Sequence, residues 1–521
     1  MNSAAGAGAL LRLALRRDRV RLPVWIVVSA AMTAAAAAAT AGVYPTDEAR
    51  RAAVASINAV PALVALYGPI AEPTAGAAAV FKLTASGAAL VALLTALTAV
   101  RHTRAEEETG RWELLRGAAT GRHAGLAAAG AMLVLTAFGL GAGATAGLAA
   151  AGLPFGGSLA FGLGWAGAGL VFGALAGLAA QVARGGRTAT EITVLALVVA
   201  YLLRAAGDAT GPRWLSWLSP IGWASLLRPF AGDRWWLLAF PLAASLLLGF
   251  AAFAVSRHRD LGAGLLAVRS GATRAGRLLS GPAGLAWRLD RGAVASWTLA
   301  FAVLGLVVGN LADSLGTFFS TAQARQLIAA LGGEQALTDA FLAAEFGVSG
   351  VLVSALAIVL VGRLRTEESS GRAAAVLAGP VARARLVGGA VSVTVAATAA
   401  PLLAAGATAG LAHGDVSRLV GAAVVQLPGV WVLTGLALAV FGAFPRAGWL
   451  SWAALAAFLV LGEFGPLFHA PGWALGISPF SHVPHVPGGV VDIGPLLWLA
   501  AVAALLGGAG FAAFGRRDLI A

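Results

Sequence analysis

Long apolar runs separated by short clusters of charge set the pattern of this chain. Twelve stretches have the length and apolarity of spanning helices: 23–42, 77–100, 124–152, 158–183, 189–206, 235–256, 293–312, 346–362, 386–412, 416–443, 447–466 and 493–514. About 20 mostly apolar residues cross a hydrocarbon core. A bilayer offers backbone N–H and C=O groups no partner, so such runs are helices. The sequence shows none of the short alternating segments of a β-barrel. The pattern predicts an all-α polytopic membrane protein with twelve transmembrane helices.

Composition sharpens this. Of 521 residues, 59% are hydrophobic and 11% charged, whereas soluble domains run about 25% charged. So apolar a chain cannot be wrapped as a water-soluble enzyme, and disordered chains are poor in hydrophobic residues. Net charge is +13, and 27 of the 36 basic residues fall in alternate inter-span segments: the N-terminus, 101–123, 184–188, 257–292, 363–385, Arg446 and Arg516–Arg517. This is the positive-inside distribution. It assigns the basic clusters to membrane topology rather than to nucleic acid, and puts both termini in the cytoplasm. The run beginning at residue 23 follows a basic stretch and has spanning length, so it reads as a first membrane helix and not a cleavable signal. The chain has no cysteine, which excludes disulfides, thiol catalysis and thiolate metal sites.

The strongest internal signal is a repeat at half the chain length. Arg104-Ala-Glu106-Glu107-Glu108-Thr-Gly110-Arg111 matches Arg365-Thr-Glu367-Glu368-Ser369-Ser-Gly371-Arg372 at an offset of 261, and Arg122 matches Arg383. Arg16-Arg17-Asp18-Arg19 ahead of Trp25 matches Arg288-Leu289-Asp290-Arg291 ahead of Trp297. Trp214 with Ser219-Pro220 matches Trp473 with Ser478-Pro479, and Phe250 and Phe253 match Phe511 and Phe514. The expected organisation is a first six-span half over 1–256, a basic cytoplasmic linker over 257–285 and a second six-span half over 286–521. Six spans per half make the repeats parallel, related by an axis along the membrane normal, with a substrate path at their seam.

Each half opens with a basic, partly amphipathic segment suited to the cytoplasmic interface. Between its second and third spans lies the Glu-Glu-x-x-Gly-Arg loop, long enough for a short cytosolic helix. A solvated connector is the bland reading, but a connector has no reason to keep this spacing after the halves diverged. Mixed Glu and Arg instead make a surface able to pair with another protein's charges. The Ser-Pro segments before each sixth span predict a re-entrant element or hairpin, beside tryptophans suited to the membrane interface.

Other motifs have simpler explanations. Gly162, Gly164 and Gly167 form G-x-G-x-x-G inside a predicted span with no preceding strand, so close helix packing explains them better than nucleotide binding. Gly143 and Gly147 read the same way. His482 and His485 are separated by Pro484, and no metal site is expected from them. Lys82, Arg204 and Glu463 lie close enough to span ends to snorkel. Of these, Lys82 and Glu463 are kept as intramembrane charges of functional interest. The only lysine follows Phe81, so the chain lacks the Gly-Lys-Ser/Thr of a P-loop.

Six spans per half, a basic interfacial helix and a charged Glu-Glu…Gly-Arg helix resemble the ABC-2 family of ABC exporter permeases. The duplicated form, with Ser-Pro-Ile-Gly-Trp at 219–223 and Arg228-Pro229-Phe230 after it, resembles actinobacterial permeases for polyketide antibiotics or multiple drugs. The resemblance implies cytosolic coupling helices that dock a separate ATP-binding subunit, two copies for two halves, which holds ATP and Mg. This chain would bind no cofactor. It implies that Glu106, Glu107, Gly110, Arg111, Glu367, Glu368, Gly371 and Arg372 couple to that subunit, although Trp112-Glu113-Leu114-Leu115 becomes Ala373-Ala374-Ala375-Val376 in the second loop. It also implies that Phe81, Thr84, Tyr201, Ser354 and Phe458 line the substrate path. The expected function is ATP-driven export of hydrophobic or amphiphilic compounds across the bacterial plasma membrane. An ion-coupled transporter, a lipid or glycan exporter and a membrane-bound enzyme are the alternatives. The first would need buried mid-span carboxylates, and the enzyme a convergent catalytic cluster.

Overall fold

The computed structural model describes residues 4–110, 120–183, 185–209, 214–258, 276, 281–318, 333–464, 471–489 and 491–518. Among them there is no strand. Eleven helices are long and apolar enough to cross a membrane, and each overlaps one predicted span. The twelfth, predicted at 447–466, is a helix of 16 residues, Trp449–Phe464. Pro445 precedes it, and the residue before a proline is biased away from helical backbone.

The chain divides into two compact units, Met1–Ser270 and Gly271–Ala521. In the first, α1 (Ala7–Arg17), α2 (Arg21–Val43), α3 (Asp47–Asn58), α4 (Pro61–Tyr67), α5 (Ala75–Arg101) and α6 (Arg104–Glu108) precede α7 (Ala124–Ala150), α8 (Phe155–Val182) and α9 (Gly186–Ala209). Two short helices, α10 (Trp214–Trp217) and α11 (Pro220–Leu226), then lead to α12 (Ala239–Arg257). Helix α8 is the centre, packed against α5, α7, α9, α11 and α12. Its glycines let backbones approach: a Cβ at Gly162 would lie 2.3 Å from the Gly141 carbonyl oxygen of α7. The G-x-G-x-x-G run is therefore a packing surface.

The second unit contains α13 (Pro282–Phe318), α14 (Gly333–Ser369), α15 (Arg372–Leu377), α16 (Arg383–His413), α17 (Val416–Val424), α18 (Leu427–Ala443), α19 (Trp449–Phe464), α20 (Gly472–Leu475) and α21 (Ile493–Arg516). The predicted span 416–443 is one of the eleven, Val416–Ala443, and takes a turn at residues 425–426, between α17 and α18. Pro428 lies in the first turn of α18 and has no N–H to carry a continuous helix across the join. Its counterpart α8 has no internal proline and runs unbroken for 28 residues.

Small residues bring the first and third spans of each unit together from opposite sides. In the first unit a Cβ on Gly147 of α7 would meet the Ala30 carbonyl of α2 at 2.1 Å. In the second, Gly305 of α13 faces the Ala405 carbonyl of α16 at 2.2 Å. The Ser-Pro segment 214–226 folds as two short helices. Ser219 caps α11 by accepting from Gly222 N at 3.1 Å and donates to the Ala200 carbonyl at 2.6 Å.

Candidate functional site

The charged segment after α5 is held by its own unit. Asp18, at the end of α1, is buried and pairs with Arg101 at 2.8 Å and with His102 Nε2 at 2.6 Å. Arg17 pairs with Glu106. Arg104, 1% exposed, pairs with Glu107. Glu108 accepts from the Gly186 backbone N–H at 2.8 Å, at the N-terminus of α9, where a carboxylate is favoured by the helix dipole. Gly110 has φ +69 and its N–H donates to the Glu107 carbonyl at 3.1 Å. That left-handed turn ends the helix and is the physical reason for a glycine there. Arg111 and the Trp112–Leu115 segment lie outside the described residues.

The second unit repeats the anchors and redistributes the glutamates. Asp290, also buried, pairs with Arg363. Arg363 is the position matching His102 at the offset of 261. Gly371 has φ +74 and donates to the Glu368 carbonyl at 3.0 Å. Here, however, Glu367 and Glu368 end the long helix α14 instead of opening a short one. Glu367 takes a two-point bond from Arg372, at 2.8 Å to each oxygen, which holds the guanidinium further above its ordinary pKa. Glu368 is buried and receives Arg517 at 2.6 and 2.7 Å. The helix α15 follows Gly371 directly.

A third matched pair closes each unit. Arg122 donates to the Arg257 carbonyl at 2.6 Å and Arg383 to the Arg517 carbonyl at 2.8 Å. Both guanidiniums satisfy a carbonyl at the C-terminal end of the sixth span, where a cation is favoured. His123 lies beside the first of these, and burial, then Arg257 and Arg122, push its pKa below the ordinary value.

Of the expected path residues, Phe81 and Thr84 line one small cavity of about 30 Å³ with Tyr67, Ser225 and Arg228. That volume holds a water or two. Phe81 meets Tyr67 edge to face at 5.5 Å. Tyr201 donates to the Leu66 carbonyl, behind this cavity and not on it. Arg204 is fully buried and does not snorkel. It lies 4.6 Å from the Tyr201 ring, pairs with Asp208 at 3.4 Å and donates to the Ala65 and Leu66 carbonyls at 2.7 and 2.9 Å. It thus closes the C-terminal end of α4, whose backbone acceptors make a remote bulk phase unnecessary. Ser354 is buried on α14 and donates to Gly350 O at 3.0 Å. Phe458 of α19 packs on a cluster that includes Ile358 and Val361 of α14. Lys82 is exposed, 5.9 Å from the Phe81 ring centre, and the Glu463 side chain lies outside the described residues.

Sequence reasoning passed over Asp18, Asp290, His102 and Arg363 as site residues. The two aspartates were visible as repeat landmarks, but their partners lie 84 and 73 residues away.

The chain is similar to known permeases. Residues 279–515 match the family described as multidrug efflux system permease Rv1217c, C-terminal domain. Over 524 aligned residues, 99% of this chain and 95% of the relative, it is 41% identical to the multidrug efflux system permease protein Rv1217c of Mycobacterium tuberculosis. With its eleven membrane-length helices and that whole-length identity, this multi-pass membrane protein belongs to the Rv1217c family of multidrug efflux system permeases.

Proposed function

We propose that the chain is the membrane subunit of an ATP-driven exporter that moves hydrophobic or amphiphilic, drug-like compounds out of the cell. ATP and magnesium are held by a separate ATP-binding subunit in two copies, one at each charged loop. The chain sits in the bacterial plasma membrane with both termini cytoplasmic. The observation that carries this reading is whole-length identity to a protein named as a multidrug efflux permease. Two features of the sequence support it: the missing P-loop and the repeated charged loop.

The loops at 101–123 and 363–385 are the docking segments. Glu106, Glu107 and Glu368 are engaged within their own units, so they fix the loop backbone ahead of docking. Gly110 and Gly371 set the turn, and Arg111, Arg372 and Glu367 supply charge toward the partner. Arg372 is 59% exposed at its side chain. Phe81 and Thr84 line the route of the compound in the first half, with Tyr201 packed behind them, and Ser354 and Phe458 belong to the helices that form its wall in the second.

The test is reconstitution. The purified chain alone should neither bind nor hydrolyse ATP, and turnover should appear when a cognate ATP-binding subunit is added. Robust ATPase activity from the chain alone, or failure to associate with any ATP-binding subunit, refutes the reading.

A further inference from the structure

Helices α16, α18 and α21 of the second unit enclose an apolar groove of about 600 Å³, within the range of small-ligand sites. Glycine and alanine on α21 carve it. Ala503, Gly507 and Gly508 line the groove. The matching positions of the first half are Leu242, Leu246 and Leu247, whose side chains project 54, 65 and 71% exposed. A Cβ added at Gly507 or Gly508 would meet nothing within 4 Å. These two glycines are therefore not explained by close helix packing.

The groove offers hydrocarbon and no charge. Its two hydroxyls, Ser392 and Thr434, are spent on the Gly389 and Val430 carbonyls at 3.0 Å each. Trp431 also lines the groove, and its Nε1 is buried with no hydrogen-bond partner among the described residues.

One end is different. Gly388 lines the groove one turn beyond Arg385 on α16, and α18 leaves the groove at Leu438, ends at Ala443 and is followed by a short turn, Pro445–Ala447, that carries Arg446. At this end Arg383 and Arg517 are engaged in the bonds described above. Arg385 and Arg446 are exposed and pair with no carboxylate among the described residues. A guanidinium is well matched to phosphate, and basic residues beside grooves between spanning helices recognise anionic lipid headgroups.

We propose that this groove binds an anionic phospholipid, with an acyl chain along α21 and the phosphate at Arg385 and Arg446. The proposal needs only that these helices cross a bilayer. It does not depend on ATP-driven export.

Native mass spectrometry of the full chain tests it. The chain is released from bilayer discs containing equal phosphatidylglycerol and phosphatidylcholine. The wild-type chain should retain phosphatidylglycerol in preference to phosphatidylcholine. The variant Gly507→Leu/Gly508→Leu, which restores the first-half residues, should lose that retained lipid. Arg385→Gln and Arg446→Gln leave the groove open and should each cut the preference for phosphatidylglycerol roughly fivefold. Inorganic phosphate should not displace the lipid, since the acyl chain holds it. Equal retention of both lipids by the wild type overturns the proposal. So does unchanged retention in the filled variant. A hydrophobic efflux dye whose binding is lost on filling while phosphatidylglycerol stays also overturns it, because the groove is then a site for the exported compound.

Discussion

The two charged loops share a frame and differ in what their glutamates hold. In both units a buried aspartate from the interfacial segment grips a base at the end of the second span, His102 or Arg363. In both, a left-handed glycine turns the chain, and an arginine caps the end of the sixth span. The glutamates then diverge. Glu106 reaches back to Arg17 and Glu108 to the start of α9. Ser369 stands where Glu108 would be, and Glu368 turns instead to Arg517. What the repeat preserves is the attachment of the loop to its own helices. The carboxylates that decorate it are free to find new partners, so the Glu-Glu signature marks a fold feature before it marks a contact with another protein.

This predicts unequal costs for breaking the glutamate pairs. The Glu368–Arg517 pair has side-chain exposures of 2 and 16%. Arg517→Ala leaves a carboxylate buried without its cation, a loss of about 3 kcal/mol. Arg17→Ala in the first unit removes a pair exposed at 31 and 14%, and should cost about 1 kcal/mol or less. Thermal unfolding of the two variants in one detergent measures the difference. Equal losses would mean that burial does not separate the two loops.

The sequence made the helical scaffold and the repeat legible because both depend on local, periodic information. Apolar length located eleven of the membrane-length helices, and fixed spacing located both loops. The turn before Pro428 was written in the chain, yet a hydropathy run averages across it. Arg204 was misjudged for another reason. Nearness to a span end says that a side chain can reach water, but not that Ala65 and Leu66 carbonyls will meet it first. The aspartate clamps depend on contacts across tens of residues, which spacing alone does not encode.

The clamps themselves supply the next test. Asp290→Ala leaves Arg363, which cannot shed its charge. Asp18→Ala leaves the buried His102 and Arg101, which is one-third exposed. Each substitution should cost about 2 kcal/mol. Clearly different unfolding midpoints would show that the clamps are not equivalent in the way their matched positions imply. The glycine turns should also behave alike. At φ +69 and +74, with open space around an added Cβ, Gly110→Ala and Gly371→Ala should each lose about 1 kcal/mol from backbone strain alone. A much larger loss at one of them would reveal a packing role confined to that loop.

The smallest effect on stability is the one that separates scaffold from docking surface. Glu367 and Arg372 bond to each other at an exposed site. Replacing both, Glu367→Gln with Arg372→Gln, should change stability by less than about 0.5 kcal/mol. Reversing Glu368 would not serve, because its buried pair with Arg517 confounds folding with docking. If the second loop meets an ATP-binding subunit through its exposed charge, the double variant should fold normally yet associate more slowly. Its association should also depend less on salt, as expected for charges at the rim of an interface. Association kinetics at low and at physiological ionic strength read this directly. A double variant with wild-type kinetics at both would leave the loop as an internal brace, and the docking role would then rest on the first loop alone.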